Sequence, residues 1–149
     1  MTDKKLKIAI GADHGGFRLK EKLAEVLVSG GYDVKDFGTF TADSVDYPVI
    51  AKAVCEPVSK GEADFGILVC GTGIGMSITA NKIKGVRAAV CDNPYSAKMT
   101  RAHNNANVLC IGERVVGIGV AMDILNAFLS TDFEGGRHQR RVDMINELD

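Results

Sequence analysis

The sequence predicts one α/β domain, a three-layer Rossmann-like sandwich in which a five-stranded parallel sheet lies between helices, with a further helix at the C-terminus. The chain has 149 residues, enough for a single domain with a sizeable core. Its composition, 46% hydrophobic and 25% charged, is that of an ordinary globular protein. Short apolar runs rich in β-branched residues alternate with longer amphipathic segments, as in the strand–helix units that build a parallel sheet.

The first half of the chain contains two predicted strand–helix units. Residues 6–10 predict an apolar strand, and Phe17–Ser29 is predicted to be a helix because leucines recur on one face and two glycines follow its end. Residues 32–37 alternate as in a strand near the edge of a sheet. The polar residues 38–47 are a candidate active-site loop, and Pro48 can take the first position of the next helix.

Three nearly continuous apolar runs predict the strands at the centre of the sheet, where helices cover both faces. They are residues 65–70, 86–91 and 107–111. Helices are predicted to follow them at about residues 75–84, 94–103 and 117–129, and a last amphipathic helix is predicted at about residues 137–148.

Charge and composition exclude several classes of protein. With 18 basic and 19 acidic side chains, the chain lacks the basic excess of proteins that bind nucleic acid or anionic membranes. No apolar run approaches the roughly 18 residues of a membrane span, and the N-terminus lacks a signal-peptide profile, so we expect a cytoplasmic protein. The four cysteines are scattered, without Cys-x-x-Cys pairs or histidines at zinc spacing, so neither disulfides nor a metal site is predicted.

Polar and glycine-rich residues collect at the predicted carboxyl ends of the strands, where doubly wound sheets bind their ligands. These segments are residues 11–16, 70–75, 91–93 and 112–114. We therefore expect the candidate side chains to converge on one edge of the sheet.

The loop that contains Gly71, Gly73 and Gly75 joins a buried strand to a helix, so its N–H groups and the helix dipole suit a phosphate or a developing oxyanion. A dinucleotide fingerprint is the rival interpretation, with Asp92 about twenty residues further on. That fingerprint needs glycine where Met76 stands and normally follows the first strand. A Walker phosphate loop is excluded because no Gly-Lys-Ser/Thr follows, while a plain tight turn stays open as an interpretation.

Three sets of side chains near strand and helix ends are candidates for chemistry. Cys70 ends a strand immediately before a helix, where the helix dipole favours a thiolate that could act as base or nucleophile. Asp13 and His14 form a pair after the first strand, and His103 lies near a helix end beside two asparagines. Each set has an ordinary alternative: a buried thiol, a turn with a local hydrogen bond, and a helix cap.

Arg137 and Arg141 are four residues apart and therefore lie on one face of the last predicted helix. Two guanidinium groups that point together can clamp a phosphate. A solvated basic face is the general alternative, although basic side chains oppose the dipole at a helix N-terminus, which favours a functional reason.

Taken together, the motifs make the chain similar to the type B ribose-5-phosphate isomerase family and to the related galactose-6-phosphate isomerase subunits, over almost its whole length. The motifs that carry the resemblance are Gly11-Ala12-Asp13-His14-Gly15-Gly16, Asp46-Tyr47-Pro48, Cys70-Gly71-Thr72-Gly73-Ile74-Gly75, Ala80-Asn81-Lys82, Arg101-Ala102-His103-Asn104, Gly112-Glu113-Arg114-Val115-Val116-Gly117 and Glu134-Gly135-Gly136-Arg137-His138.

The resemblance implies an aldose–ketose isomerase that interconverts ribose 5-phosphate and ribulose 5-phosphate through a cis-enediol, without a metal or a cofactor. It implies Cys70 as the general base and His103 as the group that opens the furanose ring, with Thr72 and the neighbouring amides holding the enediolate oxygen. The implied substrate-binding residues are Asp13, His14, Gly71, Gly73, Ile74, Gly75, Asn104, Arg114, Arg137 and Arg141, of which the three arginines hold the phosphate.

The resemblance also implies a homodimer, or a dimer of dimers, with the active site at the subunit interface and a sugar phosphate as the only other partner. Asn105 stands where many relatives have aspartate, a departure that could alter the orientation of His103 or the preferred sugar. Another phosphorylated aldose, such as a hexose 6-phosphate or a tetrose phosphate, stays open as the substrate. A flavodoxin-like nucleotide-binding or regulatory module without catalysis stays open as a different class.

Overall fold

The computed structural model describes residues 5–149, and over this range it confirms the predicted α/β sandwich with its five-stranded parallel sheet. The strands are β1 (Lys7–Ala12), β2 (Asp33–Asp36), β3 (Phe65–Cys70), β4 (Ala88–Val90) and β5 (Val108–Gly112). The helices are α1 (Phe17–Ser29), α2 (Tyr47–Ser59), α3 (Ile74–Ala80), α4 (Pro94–Asn104), α5 (Ile118–Ser130) and α6 (Arg137–Asn146). None of these helices combines the length and the apolar character that crossing a membrane requires.

The sheet has the strand order β2-β1-β3-β5-β4, and all four neighbouring pairs are parallel. The order reverses between β1 and β3, which pair in register from Ile8 with Phe65 to Ala12 with Val69. Open α/β sheets bind ligands beyond the carboxyl ends of the strands at such a reversal. The fold therefore places the end of β3, at Cys70, beside the turn that follows β1.

Two apolar cores sandwich the sheet, which explains why most of its strands are apolar throughout. One core packs α1, α4 and α5 on the sheet, and the other packs α2 and α3 on the opposite face. Leu23 and Phe128 have no exposed surface, and burying each such side chain contributes about 1.5–3 kcal/mol. The remaining helix, α6, packs against α4.

The prediction that residues 86–91 form a central strand is wrong. β4 has three residues and pairs only with β5, so it is an edge strand, and its Val90 is 39% exposed. Val86 and Cys91, just outside β4, are buried against the helical layers and account for the apolar run. The prediction that residues 32–37 lie near an edge is confirmed, because β2 ends the sheet on the other side.

Two helices are shorter than predicted, and each end has a local cause. α3 ends at Ala80 because the Asn81 side chain bonds both backbone groups of Ala88, accepting its N–H at 2.8 Å and donating to its carbonyl at 3.0 Å. This pairing turns the chain towards β4. α6 ends at Asn146, whose Oδ1 accepts a hydrogen bond from Arg87 Nη1 at 3.0 Å.

A buried lysine fixes the turn that follows β2. Lys20 has no exposed surface, and its Nζ contacts Asp36 Oδ2 at 2.8 Å and Glu21 Oε1 at 3.1 Å. The other oxygen of Asp36 accepts the N–H of Gly38 at 2.8 Å, and the ammonium lies 4.7 Å from the centre of the Phe40 ring. A desolvated charge needs such partners, so this network ties α1 to the start of the predicted active-site loop.

Candidate active site

Cys70 is the last residue of β3 and is only 5% exposed. Its Sγ accepts a hydrogen bond from the N–H of Gly73 at 3.1 Å. The sulfur of Cys70 thus lies at the end of the strand with a backbone donor against it and α3 beginning just beyond the loop.

The loop between β3 and α3 approaches the end of β5 closely, and glycine makes this approach possible. Gly73 has φ of 81°, in the left-handed region that favours glycine. A Cβ at Gly112 would lie 2.6 Å from the carbonyl carbon of Thr72, so no side chain fits there without a shift. Thr72 Oγ1 accepts the N–H of Ile74 at 3.2 Å. The N–H groups of Gly73 and Ile74 already donate hydrogen bonds within the loop. The donors expected to hold an oxyanion are therefore the other backbone amides of the loop.

Asp13 and His14 follow β1 and lie beside this loop. Asp13 is buried, its Oδ1 accepts the N–H of Gly15 at 2.8 Å, and a Cβ on Gly15 would lie 3.2 Å from the nitrogen of Gly71. The N–H of Val45 donates to His14 Nδ1 at 3.2 Å. With Nδ1 accepting this hydrogen bond, the N–H of the ring lies at Nε2. The exposed His14 can thus donate a hydrogen bond to a ligand oxygen.

Arg114 extends the same edge from the turn after β5. Its backbone N–H donates to the carbonyl of Gly71 at 3.0 Å, and its guanidinium lies over that glycine. A cleft of about 290 Å³ is lined by His14, Arg18, Glu113 and Arg114, among others. Because Glu113 Oε1 accepts the N–H of Leu19 at 2.7 Å, that carboxylate is already bound to the first turn of α1. The guanidinium groups of the cleft are suited to attract an anion.

His103 lies at the opposite end of the sheet. α4 begins beyond the carboxyl end of β4 and runs back, so that its last residues approach the amino ends of the strands. Arg87, just before β4, donates to the carbonyl of Asn104 at 3.2 Å and to that of Asn105 at 2.9 Å. Asn105 has φ of 48°, and its Oδ1 accepts a hydrogen bond from Arg101 at 2.9 Å. Asparagine tolerates this left-handed conformation well, so the departure noted at this position completes the end of α4.

Two side chains surround the His103 ring. The buried His138 stacks on it, with ring centroids 4.2 Å apart and an interplanar angle of 11°. Glu134 Oε1 lies 3.9 Å from Nε2 of His103 and 3.5 Å from Nε2 of His138. The N–H of Glu134 donates to the carbonyl of Ala102 at 3.0 Å, which ties the segment before α6 to the end of α4. The cluster His103, Glu134 and His138 is therefore held by backbone as well as by side-chain contacts.

Arg137 and Arg141 lie on α6 beside this cluster, and both are exposed. Loss of hydration lowers the pKa of His138, the neighbouring His103 and Arg137 lower it further, and Glu134 raises it. The positive charges of Arg137 and Arg141 near the start of α6 oppose the helix dipole. An anionic ligand would offset this unfavourable charge.

The structure thus separates the predicted site residues into two groups. The carboxyl-end group contains Asp13, His14, Cys70, Gly71, Thr72, Gly73, Ile74, Gly75 and Arg114, and the amino-end group contains His103, Asn104, Arg137 and Arg141. The strand-end segments around residues 11–16, 70–75 and 112–114 thus share the carboxyl edge of the sheet, as expected, whereas the residues of α4 and α6 lie at the other end of the same chain. α4 has eleven residues and so spans about 16 Å between the two ends of the sheet.

The other three cysteines are poor candidates for chemistry. Burial raises the pKa of Cys55 to about 12 and that of Cys91 to about 11, and it also raises the pKa of the fully buried Cys110. These thiols therefore stay protonated at neutral pH, as expected for small buried side chains.

Sequence reasoning assigned no role to Tyr47, Glu134 or His138. A Cβ on Gly75 would lie 2.6 Å from Cε1 of Tyr47, so the tyrosine ring covers the start of α3. The i,i+4 spacing of Glu134 and His138 is a signal that could have identified them as a pair.

The comparisons with known proteins agree with one another. A family model described as Ribose/Galactose Isomerase matches residues 8–145. Ribose-5-phosphate isomerase B of Escherichia coli is 50% identical over 143 residues, which cover 96% of each chain. The solved structure of Clostridium thermocellum ribose-5-phosphate isomerase B is 54% identical, with a TM-score of 0.95 over 96% of this chain and 97% of that chain.

A second solved structure carries a ligand. Ribose-5-phosphate isomerase B of Mycoplasma genitalium, with bound ribulose-5-phosphate, is 43% identical, with a TM-score of 0.93 over 96% of this chain and 95% of that chain. A match of this quality along nearly the whole chain, joined to the motifs at both ends of the sheet, means that the protein belongs to the ribose/galactose isomerase family.

Proposed function

We propose that this protein is a ribose-5-phosphate isomerase that interconverts ribose 5-phosphate and ribulose 5-phosphate. The proposal rests on the position of Cys70, whose thiol lies at the end of β3 and accepts a hydrogen bond from the N–H of Gly73. This base stands beneath a glycine-rich loop, in a chain similar over nearly its whole length to proteins named ribose-5-phosphate isomerase B. The bound ribulose-5-phosphate of the Mycoplasma genitalium structure supports the same substrate.

In the proposed reaction the Cys70 thiolate removes the proton from C2 of the open-chain aldose. The C–H electrons form the C1–C2 double bond of a cis-enediolate, and negative charge collects on the former aldehyde oxygen. Amides of the loop, with Thr72 beside them, hold that oxygen without having to reorganise. The hydroxyl proton of O2 moves to O1, and the thiol returns its proton to C1, which leaves a ketone at C2. This sequence needs a base, oxyanion donors and no metal ion.

The amino-end group supplies the remaining steps of the proposal. His103 gives a proton to the ring oxygen of the furanose as the bond from that oxygen to C1 breaks, and the anomeric hydroxyl loses its proton to water to become the aldehyde. Asn104 bonds a sugar hydroxyl. Arg137 and Arg141, together with Arg114 from the other group, hold the phosphate. Binding the phosphate far from C2 positions a small sugar against the base, so this remote binding energy serves catalysis.

Because the two groups lie at opposite ends of one sheet, we propose that two copies of the chain complete each site. The carboxyl end of one copy meets α4 and α6 of the other, and two-fold symmetry then makes two equivalent sites. Exposed apolar side chains near the first turns of α2 and α3 support such contact: Val49 is 64%, Ile74 54% and Ile78 60% exposed. The smallest assembly of this kind is a homodimer, and a dimer of dimers keeps the same sites.

A base cysteine works only as a free thiol, and the four cysteines of the chain are unpaired in the structure. Reducing compartments keep thiols in this state. We therefore propose that the protein acts in the cytoplasm.

The decisive experiment measures aldose–ketose interconversion in excess chelator. Ribose 5-phosphate is compared with free ribose, allose 6-phosphate, galactose 6-phosphate and erythrose 4-phosphate. We expect turnover dominated by ribose 5-phosphate and lost in Cys70→Ala. Preference for another phosphorylated aldose would keep the mechanism and change the substrate. Inactivity across the panel would overturn the proposal in favour of a binding module, and undiminished proton exchange at C2 in Cys70→Ala would overturn the role of the thiol.

A further inference from the structure

We propose that the cluster His103, Glu134 and His138 binds a zinc-like divalent transition-metal ion, and that this ion inhibits the enzyme. Each residue offers one ligand atom, and the three atoms lie within 4.8 Å of one another. Two imidazole nitrogens and one carboxylate oxygen are a ligand set that catalytic zinc sites use, with the fourth position left to water. The metal binding follows from the geometry alone, while the inhibition rests on the proposed role of His103.

Binding requires the ligand atoms, which lie within 4.8 Å of one another, to move closer together and one ring to turn. Zinc bonds to nitrogen and oxygen are about 2.0–2.2 Å, so two tetrahedral ligands stand about 3.4 Å apart. Glu134 Oε1 is already 3.5 Å from Nε2 of His138 and 3.9 Å from Nε2 of His103. Because the two rings are almost parallel, an ion in the plane of one ring lies outside the plane of the other. One ring therefore has to turn.

The exposure of the three side chains shows which of them can adjust. The His138 side chain is 11% exposed and is held by the packing of α6, so it is the fixed ligand. The side chains of His103 and Glu134 are 39% and 57% exposed, which leaves both free to rotate towards a common ion. The hydrogen bond from the Glu134 N–H to Ala102 keeps the carboxylate within reach while it does so.

The electrostatics select the class of metal. Arg137 and Arg141 are close enough to act on His138, and this positive field opposes a cation that is held by charge alone. Mg²⁺ and Ca²⁺ rely on several carboxylate and carbonyl oxygens, and the cluster has one carboxylate. Zn²⁺, Ni²⁺ and Cu²⁺ bind imidazole strongly, so they are the ions that fit.

Bound metal would occupy the lone pair of His103 that has to carry the ring-opening proton. The enzyme would therefore lose activity as free Zn²⁺ rises and regain it when a chelator removes the ion. This regulation needs no change of fold, because the ion and the proton compete for the same nitrogen.

The test uses the metal-free full-length protein and measures Zn²⁺ binding by calorimetry and by competition with a chromophoric chelator. We expect about one Zn²⁺ per chain, and Glu134→Gln should weaken binding by at least the roughly tenfold typical of a perturbed metal site. Glu147→Gln, which changes an exposed carboxylate just after α6, should bind as the wild type does. Cys70→Ser should also keep its zinc, which separates this cluster from the thiol.

Unchanged affinity in both Glu134→Gln and His138→Gln would overturn the site, and so would loss of binding in Cys70→Ser. Isomerase assays in zinc buffers form the second arm. There the wild type should be inhibited in parallel with occupancy, and Glu134→Gln should need more zinc for the same fractional loss. Stoichiometric binding without inhibition would reject the regulatory claim but not the site. A protein that binds zinc at the cluster but isomerises no sugar would refute the proposed function alone.

Discussion

Two inactive variants should restore each other's activity if each active site is shared between two chains. Cys70→Ala removes the proposed base at the carboxyl end of the sheet, and Arg141→Ala removes part of the proposed phosphate clamp at the amino end. In a mixed dimer one site carries both changes, whereas the other carries neither and is intact. Random assortment makes half of the dimers mixed, and half of their sites work, so activity should recover to about a quarter of the wild-type rate per chain.

The assay co-refolds equal amounts of the two variants and follows the initial rate with ribose 5-phosphate. Cys70→Ala mixed with Arg114→Ala is the matched control, because both residues lie at the carboxyl end and every mixed site then lacks one of them. This control should stay inactive. Absence of recovery in the first mixture, or equal recovery in both, would refute the shared site.

Three further predictions concern reactivity, stability and loop geometry. A thiol-alkylating reagent at neutral pH should modify Cys70 before Cys55, whose pKa burial raises to about 12, and activity should fall in step with the Cys70 adduct seen by peptide mass spectrometry. Lys20→Ala leaves the Asp36 carboxylate without its buried partner, so urea unfolding should show a free energy of unfolding lower by about 2–3 kcal/mol. This loss is smaller than that for a fully buried ion pair because the Asp36 side chain is partly exposed. Gly112→Ala places a Cβ 2.6 Å from Thr72, so the loop must move by roughly 1 Å, and kcat should fall about 10²-fold in an otherwise folded protein.

Alkylation of Cys55 at the rate of Cys70 would mean that the two thiols have similar environments. An unchanged urea midpoint for Lys20→Ala would show that the ammonium contributes nothing to stability, and Lys20→Met separates its charge from its apolar stem. A Gly112→Ala enzyme with wild-type kcat would show that the loop tolerates the shift.

The repeated strand–helix pattern predicts most of this fold because each strand–helix pair is specified locally. Residues 65–70 and 17–29 are predicted with the bounds that the structure shows. β4 is misplaced because an apolar run looks the same whether sheet neighbours or helices bury it, and here helices cover Val86 and Cys91. The end of α3 is missed because Asn81 stops it through contacts with Ala88, which no local pattern reveals.

Some residues of the candidate site can likewise be predicted from local sequence, and others depend on long-range contacts. Cys70 and the glycines beside it could be found from the sequence, since a strand end, a glycine-rich loop and a following helix are all local signals. The separation of Cys70 from His103 could not be predicted from the sequence, because it depends on the strand order and on the direction in which α4 crosses the sheet. Glu134 and His138 come next to His103 only because the segment before α6 packs on the end of α4.

The direction of α4 has a consequence for how the enzyme responds to its own abundance. The helix carries His103 to the end of the sheet remote from Cys70. If two copies complete each site as proposed, a single chain contains two incomplete half-sites and no complete one. Turnover per chain would then climb with protein concentration and level off once subunits are paired. A dilute extract would underestimate the cellular rate, and a sudden dilution would produce a slow decay whose time constant is that of subunit separation.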